Sequence, residues 1–244
     1  MAVTKQIKYN MDLKKAKVLV TGGSLGIGYA AAKTLIDAGA KVVICGRDEA
    51  KLEKAAKEIG AIPVRADVSN EEDIVTLVRE TIEKLDGYNV LINNAAYGYF
   101  SPLQAIDTVK FNEVLMTNIT GAMICGRESA KYFVEKSYGN IVNIASSAGT
   151  GGFANGSPYC ATKFALRGMN ECWRAELRKH NIRVMLVNPS EVQTNFGINA
   201  GGKPRDFNPT KLEGTQIAHL IKAMLEMDDK GFIPEAGVWA TNPQ

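Results

Sequence analysis

The chain has 244 residues, 45% of them apolar, enough to build one large α/β domain or two small ones. Its 29 basic side chains nearly balance 26 acidic ones, which argues against a nucleic-acid or membrane-surface partner. Four scattered cysteines and two isolated histidines lack metal-ligand spacing and leave no basis for a zinc site or a histidine-centred triad.

Cys45, Cys125, Cys160 and Cys172 read as reduced thiols, three of them in buried elements. No apolar stretch is long enough to cross a bilayer, and the first residues lack the apolar run of a signal peptide. The expected organisation is a loose extension over 1–12, then a single domain over 13–244, in the cytoplasm. Strands are predicted at 17–20, 41–44, 62–65, 90–93, 141–144, 183–187 and 237–239. Helices are predicted at 27–38, 48–59, 71–85, across the long region 105–136, at 159–179 and at 215–226. Several of the strands are short continuous apolar runs, as expected of strands covered on both faces. Strict alternation of strand and helix implies a single-domain Rossmann-type α/β fold. Its parallel sheet of about seven strands would be doubly wound, with helices on both faces. In such a sheet the chemistry lies just beyond the carboxyl ends of the strands.

The first strand runs into Thr21-Gly22-Gly23-Ser24-Leu25-Gly26-Ile27-Gly28, which opens the first helix. A glycine-rich turn at a helix N-terminus lets backbone amides approach an anion, and the helix dipole favours negative charge there. In a βα unit this points to a dinucleotide and so to redox chemistry, although the same run also describes a tight structural turn. After the second strand stand Gly46 and Arg47, where an NAD-binding protein usually carries an acid about twenty residues past the glycines. A guanidinium grips a ribose 2′-phosphate that a carboxylate repels, so NADP is favoured, with NAD as the alternative. Asp48 fits the N-cap of the next helix. After the third strand, Asp67 is either an acceptor for an adenine amine or a helix cap, with Val68 beside it. After the fourth come Asn93-Asn94-Ala95-Ala96, and asparagine suits a turn that bonds both backbone and ligand.

After the fifth strand, Ser146 and Ser147 precede Tyr159-Cys160-Ala161-Thr162-Lys163. Tyr159 and Lys163 are one helical turn apart, so their side chains share a face. An ammonium beside a phenol lowers its pKa, which suits Tyr159 to proton transfer near neutral pH. In isolation, the pair equally describes an amphipathic helix surface. After the sixth strand, a loop from Asn188-Pro189-Ser190 reaches Val192 and Thr194.

In this order the motifs resemble the short-chain dehydrogenase/reductase family in its compact form, from about residue 14 to the C-terminus. Within it, 3-ketoacyl-acyl carrier protein reductase-like members look most similar. The S-x-x-G pattern of Ser146 and Gly149 selects Ser146 over Ser147. The resemblance implies Asn118, Ser146, Tyr159 and Lys163 as catalytic residues. Tyr159 would be the general acid in reduction. Lys163 would lower its pKa and hold the nicotinamide ribose. Ser146 would polarise the carbonyl, and Asn118 would hold a water beside Lys163. Thr21 would support the turn. Cofactor contacts would come from Gly22, Ser24, Leu25, Gly26, Ile27, Gly28, Arg47, Asp67, Val68, Asn94, Ala95, Tyr159, Lys163, Val192 and Thr194. Ala96, Ser190 and Leu25 depart from common family residues. The last leaves Arg47 to grip a phosphate with less help.

The implied activity is NADP(H)-dependent reduction of a carbonyl to a secondary alcohol by direct hydride transfer. A 3-ketoacyl thioester is a candidate substrate. NAD-dependent oxidation of an alcohol, sugar or sterol is the alternative. A non-enzymatic sensor is disfavoured because all four catalytic positions are filled. Tyr97, Tyr99, Phe100, Phe153 and Phe196 are expected around the substrate, with 196–208 as a mobile loop. Arg127, Lys131, Arg167 and Arg174 are candidates for a basic rim facing an acyl carrier protein, or for solvated helix faces. Similar proteins are homotetramers or homodimers, and the C-terminal 237–243 is apolar enough to join such a contact.

Overall fold

A computed structural model describes residues 11–203 and 206–242. In chain order the elements begin with β1 (Lys17–Thr21), α1 (Gly26–Asp37), β2 (Lys41–Gly46), α2 (Glu49–Ile59), β3 (Ile62–Arg65), α3 (Glu71–Leu85) and β4 (Val90–Asn93). There follow α4 (Thr108–Leu115), a π-helical turn (Met116–Gly121), α5 (Ala122–Lys136), β5 (Gly139–Ile144) and α6 (Ser157–Leu177). The last elements are β6 (Ile182–Pro189), the short α7 (Phe196–Asn199), α8 (Gly214–Glu226) and β7 (Glu235–Val238).

The seven strands form one parallel sheet in the order β3-β2-β1-β4-β5-β6-β7. This is a Rossmann-like α/β fold whose strand order reverses between β1 and β4. The apolar strand runs conceal a period of two. Val18, Val20, Val42, Ile44, Val142 and Ile144 face a core completed by α1, α2 and α8. Leu19, Val43, Leu91, Ile141 and Val184 face the opposite core, completed by α3 and α5. Burying one such aliphatic side chain contributes about 1.5–3 kcal/mol, so both faces of every central strand are held.

Three of the helices begin where a short polar side chain takes up a free amide. Asp48, Asn70 and Asp107 accept from the backbone of Lys51, Asp73 and Lys110 at the starts of α2, α3 and α4. Asp48 is thus the cap that the sequence suggests.

Most boundaries shift by one or two residues from the sequence expectation, and three differences bear on the architecture. Most of the 1–12 extension lies outside the described residues, but Met11 is 7% exposed within the core. Asp12 caps the short 3-10 turn Leu13–Lys15, so the folded domain starts before residue 13. The region 105–136 is not one helix, because the π-helical turn interrupts it between α4 and α5. The last strand sits earlier than 237–239, which frees Trp239 from the sheet. Among the described residues, no helix is long and apolar enough to cross a membrane. Cys45, Cys125 and Cys160 are buried and Cys172 is exposed.

Candidate active site

The turn after β1 is built from both sides of the point where strand order reverses. Thr21 Oγ1 accepts from the backbone N–H of Asn94 and of Ala95, both at 3.0 Å. Asn94 Nδ2 donates back to the carbonyls of Thr21 at 2.9 Å and Gly22 at 3.0 Å. Thr21 therefore supports the turn, and Asn94 fastens it from β4. Gly22 turns the chain with φ 64°. At Gly28 a Cβ would lie 2.3 Å from the Gly22 carbonyl oxygen, so only glycine lets α1 start this close to the turn. The N-cap of α1 is Leu25, which has no side-chain hydrogen bond to the first amides.

Gly22, Ser24, Leu25, Gly26, Ile27, Asn94, Ala95, Val192 and Thr194 all line one cleft of about 1460 Å³. A helix start without a capping side chain, opening onto a cleft of this size, fits the phosphates of a dinucleotide. Gly28, Arg47, Asp67 and Val68 are absent from that lining. Arg47 Nη1 stands 3.8 Å from Asp67 Oδ2, so the two strand-end residues face each other at the surface. Asp67 Oδ1 also accepts from Ser69 N at 2.9 Å and Ser69 Oγ at 2.7 Å. The cap of α3 is Asn70, so the capping alternative for Asp67 falls. Val68 is 8% exposed in the core, and a Cβ at Gly121 would lie 2.1 Å from its carbonyl oxygen.

The other end of the cleft gathers residues from β5 and α6. Ser146, Tyr159 and Lys163 all line it. Ser146 stands at the end of β5, where its hydroxyl accepts from Ala148 N at 3.1 Å. Lys163 is 3% exposed, and its Nζ donates to the Ile144 carbonyl at 2.9 Å. Nζ lies 5.6 Å from the centroid of the Tyr159 ring. Burial pushes the Tyr159 phenol up to about 12, opposed by its hydrogen bond with Ser146. This reverses the sequence expectation of a lowered phenol pKa. The cause is desolvation of the phenolate, while the ammonium directs a proton at a backbone carbonyl. Burial likewise draws Lys163 down to about 8.

Asn118 is 2% exposed in the π-helical turn. Its Nδ2 donates to the Tyr97 carbonyl at 2.9 Å and to Thr162 Oγ1 at 3.2 Å, and its Oδ1 accepts from Tyr97 N at 3.0 Å. Its side chain thus clasps the segment after β4 to α6. Thr162 in turn donates to the Tyr159 carbonyl at 2.7 Å. The sequence reading passes over Thr162; its signal is a hydroxyl among inward-facing positions of α6.

Of the five candidate wall aromatics, Phe100, Phe153 and Phe196 line the cleft and Tyr97 and Tyr99 do not. The Tyr99 hydroxyl accepts from Asp107 N at 2.8 Å. The Tyr97 phenol is raised by desolvation and by Glu113, to which it is hydrogen bonded. Trp239 lines the cleft instead and is 67% exposed. Three of the four candidate rim residues are paired with acids. Arg127 pairs with Glu71 and Glu128, Lys131 with Glu128, and Arg167 with Glu235. These are solvated helix faces. The geometry as a whole provides a neutral phenol, a second hydroxyl and a buried ammonium at one end of a long cleft. Such a set can deliver a proton to an oxygen placed against it.

Comparison with known proteins gives a consistent picture. The family described as short chain dehydrogenase matches residues 16–203. The chain is 34% identical to the L-fucose dehydrogenase of Mus musculus over 202 residues, 81% of this chain and 73% of that protein. It is 34% identical over 210 residues to dehydrogenase/reductase SDR family member 11 of Bos taurus, covering 81% of each. A solved short chain dehydrogenase/reductase family protein superposes with a TM-score of 0.82 at 30% identity, covering 93% of this chain and 97% of that one. None of these three bears a 3-ketoacyl reductase name.

Proposed function

The chain belongs to the short-chain dehydrogenase family of alcohol and carbonyl oxidoreductases, and from that premise we propose that it reduces an apolar carbonyl compound to a secondary alcohol with NADP(H). The observation that carries this reading is the meeting of Ser146, Tyr159 and Lys163 in the same cleft as the Gly22–Gly28 turn. Gly22, Ser24, Leu25, Gly26, Ile27, Asn94, Ala95, Val192 and Thr194 would hold the dinucleotide, with Arg47 and Asp67 at its adenosine end. When bound, that group supplies or takes up a hydride.

The remaining work falls to side chains. The Ser146 and Tyr159 hydroxyls orient and polarise the substrate oxygen. A phenol raised to about 12 is fully protonated at neutral pH, the state that reduction requires of an acid. Tyr159 gives its proton to the alkoxide oxygen. The Lys163 ammonium, drawn down to about 8, then returns a proton to the phenolate through a bridging hydroxyl or water and takes its own back from solvent. Asn118 keeps α6 in register through Thr162, so its part is positional.

Arg47 supports NADP because its side chain is 66% exposed at the end of β2, available to a phosphate. Exposed Val109 on α4, Met116 on the π-helical turn and Phe164 on α6 support a homodimer or homotetramer, which light scattering of the pure protein tests. A second reading, oxidation of a sugar with NAD, is favoured by the 34% identity to L-fucose dehydrogenase.

The test is cofactor consumption with each of four substrate types: an alicyclic ketone, a small aliphatic aldehyde, a 3-ketoacyl thioester, and L-fucose with the oxidised cofactor. Turnover of the ketone with NADPH supports the first reading. Turnover of L-fucose with NAD alone replaces it with the second.

A further inference from the structure

Three aromatic rings meet in the cleft, two of them over a buried glycine. The Tyr159 ring lies 5.6 Å from Phe100 and 5.3 Å from Phe196, centroid to centroid. Phe100 also meets Phe153 at 6.0 Å. A Cβ at residue 98 would sit 2.8 Å from Phe100 Cε2 and 2.9 Å from Phe196 Cε1, so both rings converge where Gly98 has no side chain. Phe100 comes from the segment after β4, and Phe196 opens α7 after β6. Phe100 nevertheless remains 37% exposed and Phe153 52% exposed while lining the cleft, so part of each ring is free to meet a ligand.

We propose that Phe100 and Phe196 are specificity-determining residues that confine the substrate of Tyr159 to compounds with an apolar, ring-like body beside the carbonyl, and reject polyhydroxylated ones. The inference rests on the reading of Tyr159 as the proton donor. An apolar ring against these two side chains gains contact and loses water. A pyranose pressed edge-on between these two rings would set its hydroxyls against aromatic carbon there, away from the polar side chains elsewhere on the lining, and unpaired polar groups are costly to bury. Such a site separates the two classes by about a hundredfold or more in kcat/KM. Gly98 is part of the same device: a larger residue there pushes both rings away from their present positions.

The test compares wild type, Phe100→Ala, Phe196→Ala and Phe196→Leu on an alicyclic ketone with NADPH and on L-fucose with NADP and NAD. The expected wild-type enzyme turns over the ketone and leaves L-fucose nearly untouched. Each alanine variant raises KM for the ketone about tenfold or more, with kcat less affected, and narrows the ketone-to-fucose ratio. Phe196→Leu recovers part of that ratio. Thermal melting and NADPH binding by fluorescence identify any variant that has merely lost its fold, and Phe100→Leu then replaces it. A ratio unchanged within about twofold in both alanine variants overturns the proposal, as does a wild type that prefers L-fucose or turns over neither class. Tyr159→Phe separates the two levels. Its loss of turnover beside unaltered specificity in the phenylalanine variants ends the proposal alone, whereas retained turnover ends the reading beneath it.

Discussion

Lys163 donates to the carbonyl of Ile144 at 2.9 Å while its Nζ stands 5.6 Å from the Tyr159 ring centroid. The lysine is thus anchored to the last residue of β5 and the tyrosine rides one turn earlier on α6, so strand and helix set their separation together. Burial acts on both in the direction of the neutral form, raising the phenol to about 12 and lowering the ammonium to about 8.

A buried ammonium is a cost that the fold carries at neutral pH. Replacing Lys163 by Met is expected to abolish turnover and yet stabilise the fold by about 1–3 kcal/mol at pH 7. The sign follows from linkage. The folded-state pKa of about 8 lies below the ordinary 10.5, so the unfolded chain holds this proton more tightly. Wild-type stability from this group is complete above 10.5 and lost as pH falls through 8. The gap between variant and wild type should therefore close between those two values. Denaturant midpoints at a series of pH values measure it, and a destabilised variant at every pH contradicts the assignment.

The same values set the pH dependence of turnover. Reduction needs Lys163 protonated to restore the Tyr159 proton, so its rate should fall as pH rises through about 8. Oxidation needs the proton removed and should speed up over the same interval. Initial rates in both directions on one ketone and alcohol pair test this, and parallel profiles refute it.

Thr162 joins Asn118 to the Tyr159 carbonyl and is fully buried. Thr162→Val keeps the shape and leaves an Asn118 N–H without its partner, at about 1–3 kcal/mol. The expected result is a lower kcat with the KM for NADPH little changed, and recovery in Thr162→Ser. Equal kcat in the valine variant and wild type would leave Thr162 no part in placing Tyr159.

Arg47 faces Asp67 at 3.8 Å, close enough for a 2′-phosphate to compete for the guanidinium. Arg47→Ala should raise the Kd for NADPH about tenfold to a hundredfold and leave that for NADH unchanged or improved. Titration of protein fluorescence by each cofactor decides. An unchanged ratio of the two affinities removes the basis for NADP.

The sheet was legible in the sequence because parallel strands covered on both faces hold continuous apolar runs, as at 42–45 and 90–92. The glycine turn was legible because Gly28 answers to a local steric demand. The break between α4 and α5 was not, since the helical pattern continues through a π-helical turn with no proline to mark it. Nor was the direction of the Tyr159 pKa, which depends on burial under Phe100 and Phe196 from distant segments. The task of the Asn118 side chain was hidden for the same reason, because its partners Tyr97 and Thr162 lie 21 and 44 residues away. The pairing of Arg127 with Glu71 was hidden as well, because the acid comes from another helix.

The most direct test is the initial rate of NADPH consumption with an alicyclic ketone by wild type and Tyr159→Phe, each first shown by fluorescence to bind NADPH. The account predicts steady turnover by wild type and a loss of about a thousandfold in the variant, with NADPH affinity kept. Equal rates in the two proteins would contradict it, because the proton would then come from somewhere other than Tyr159.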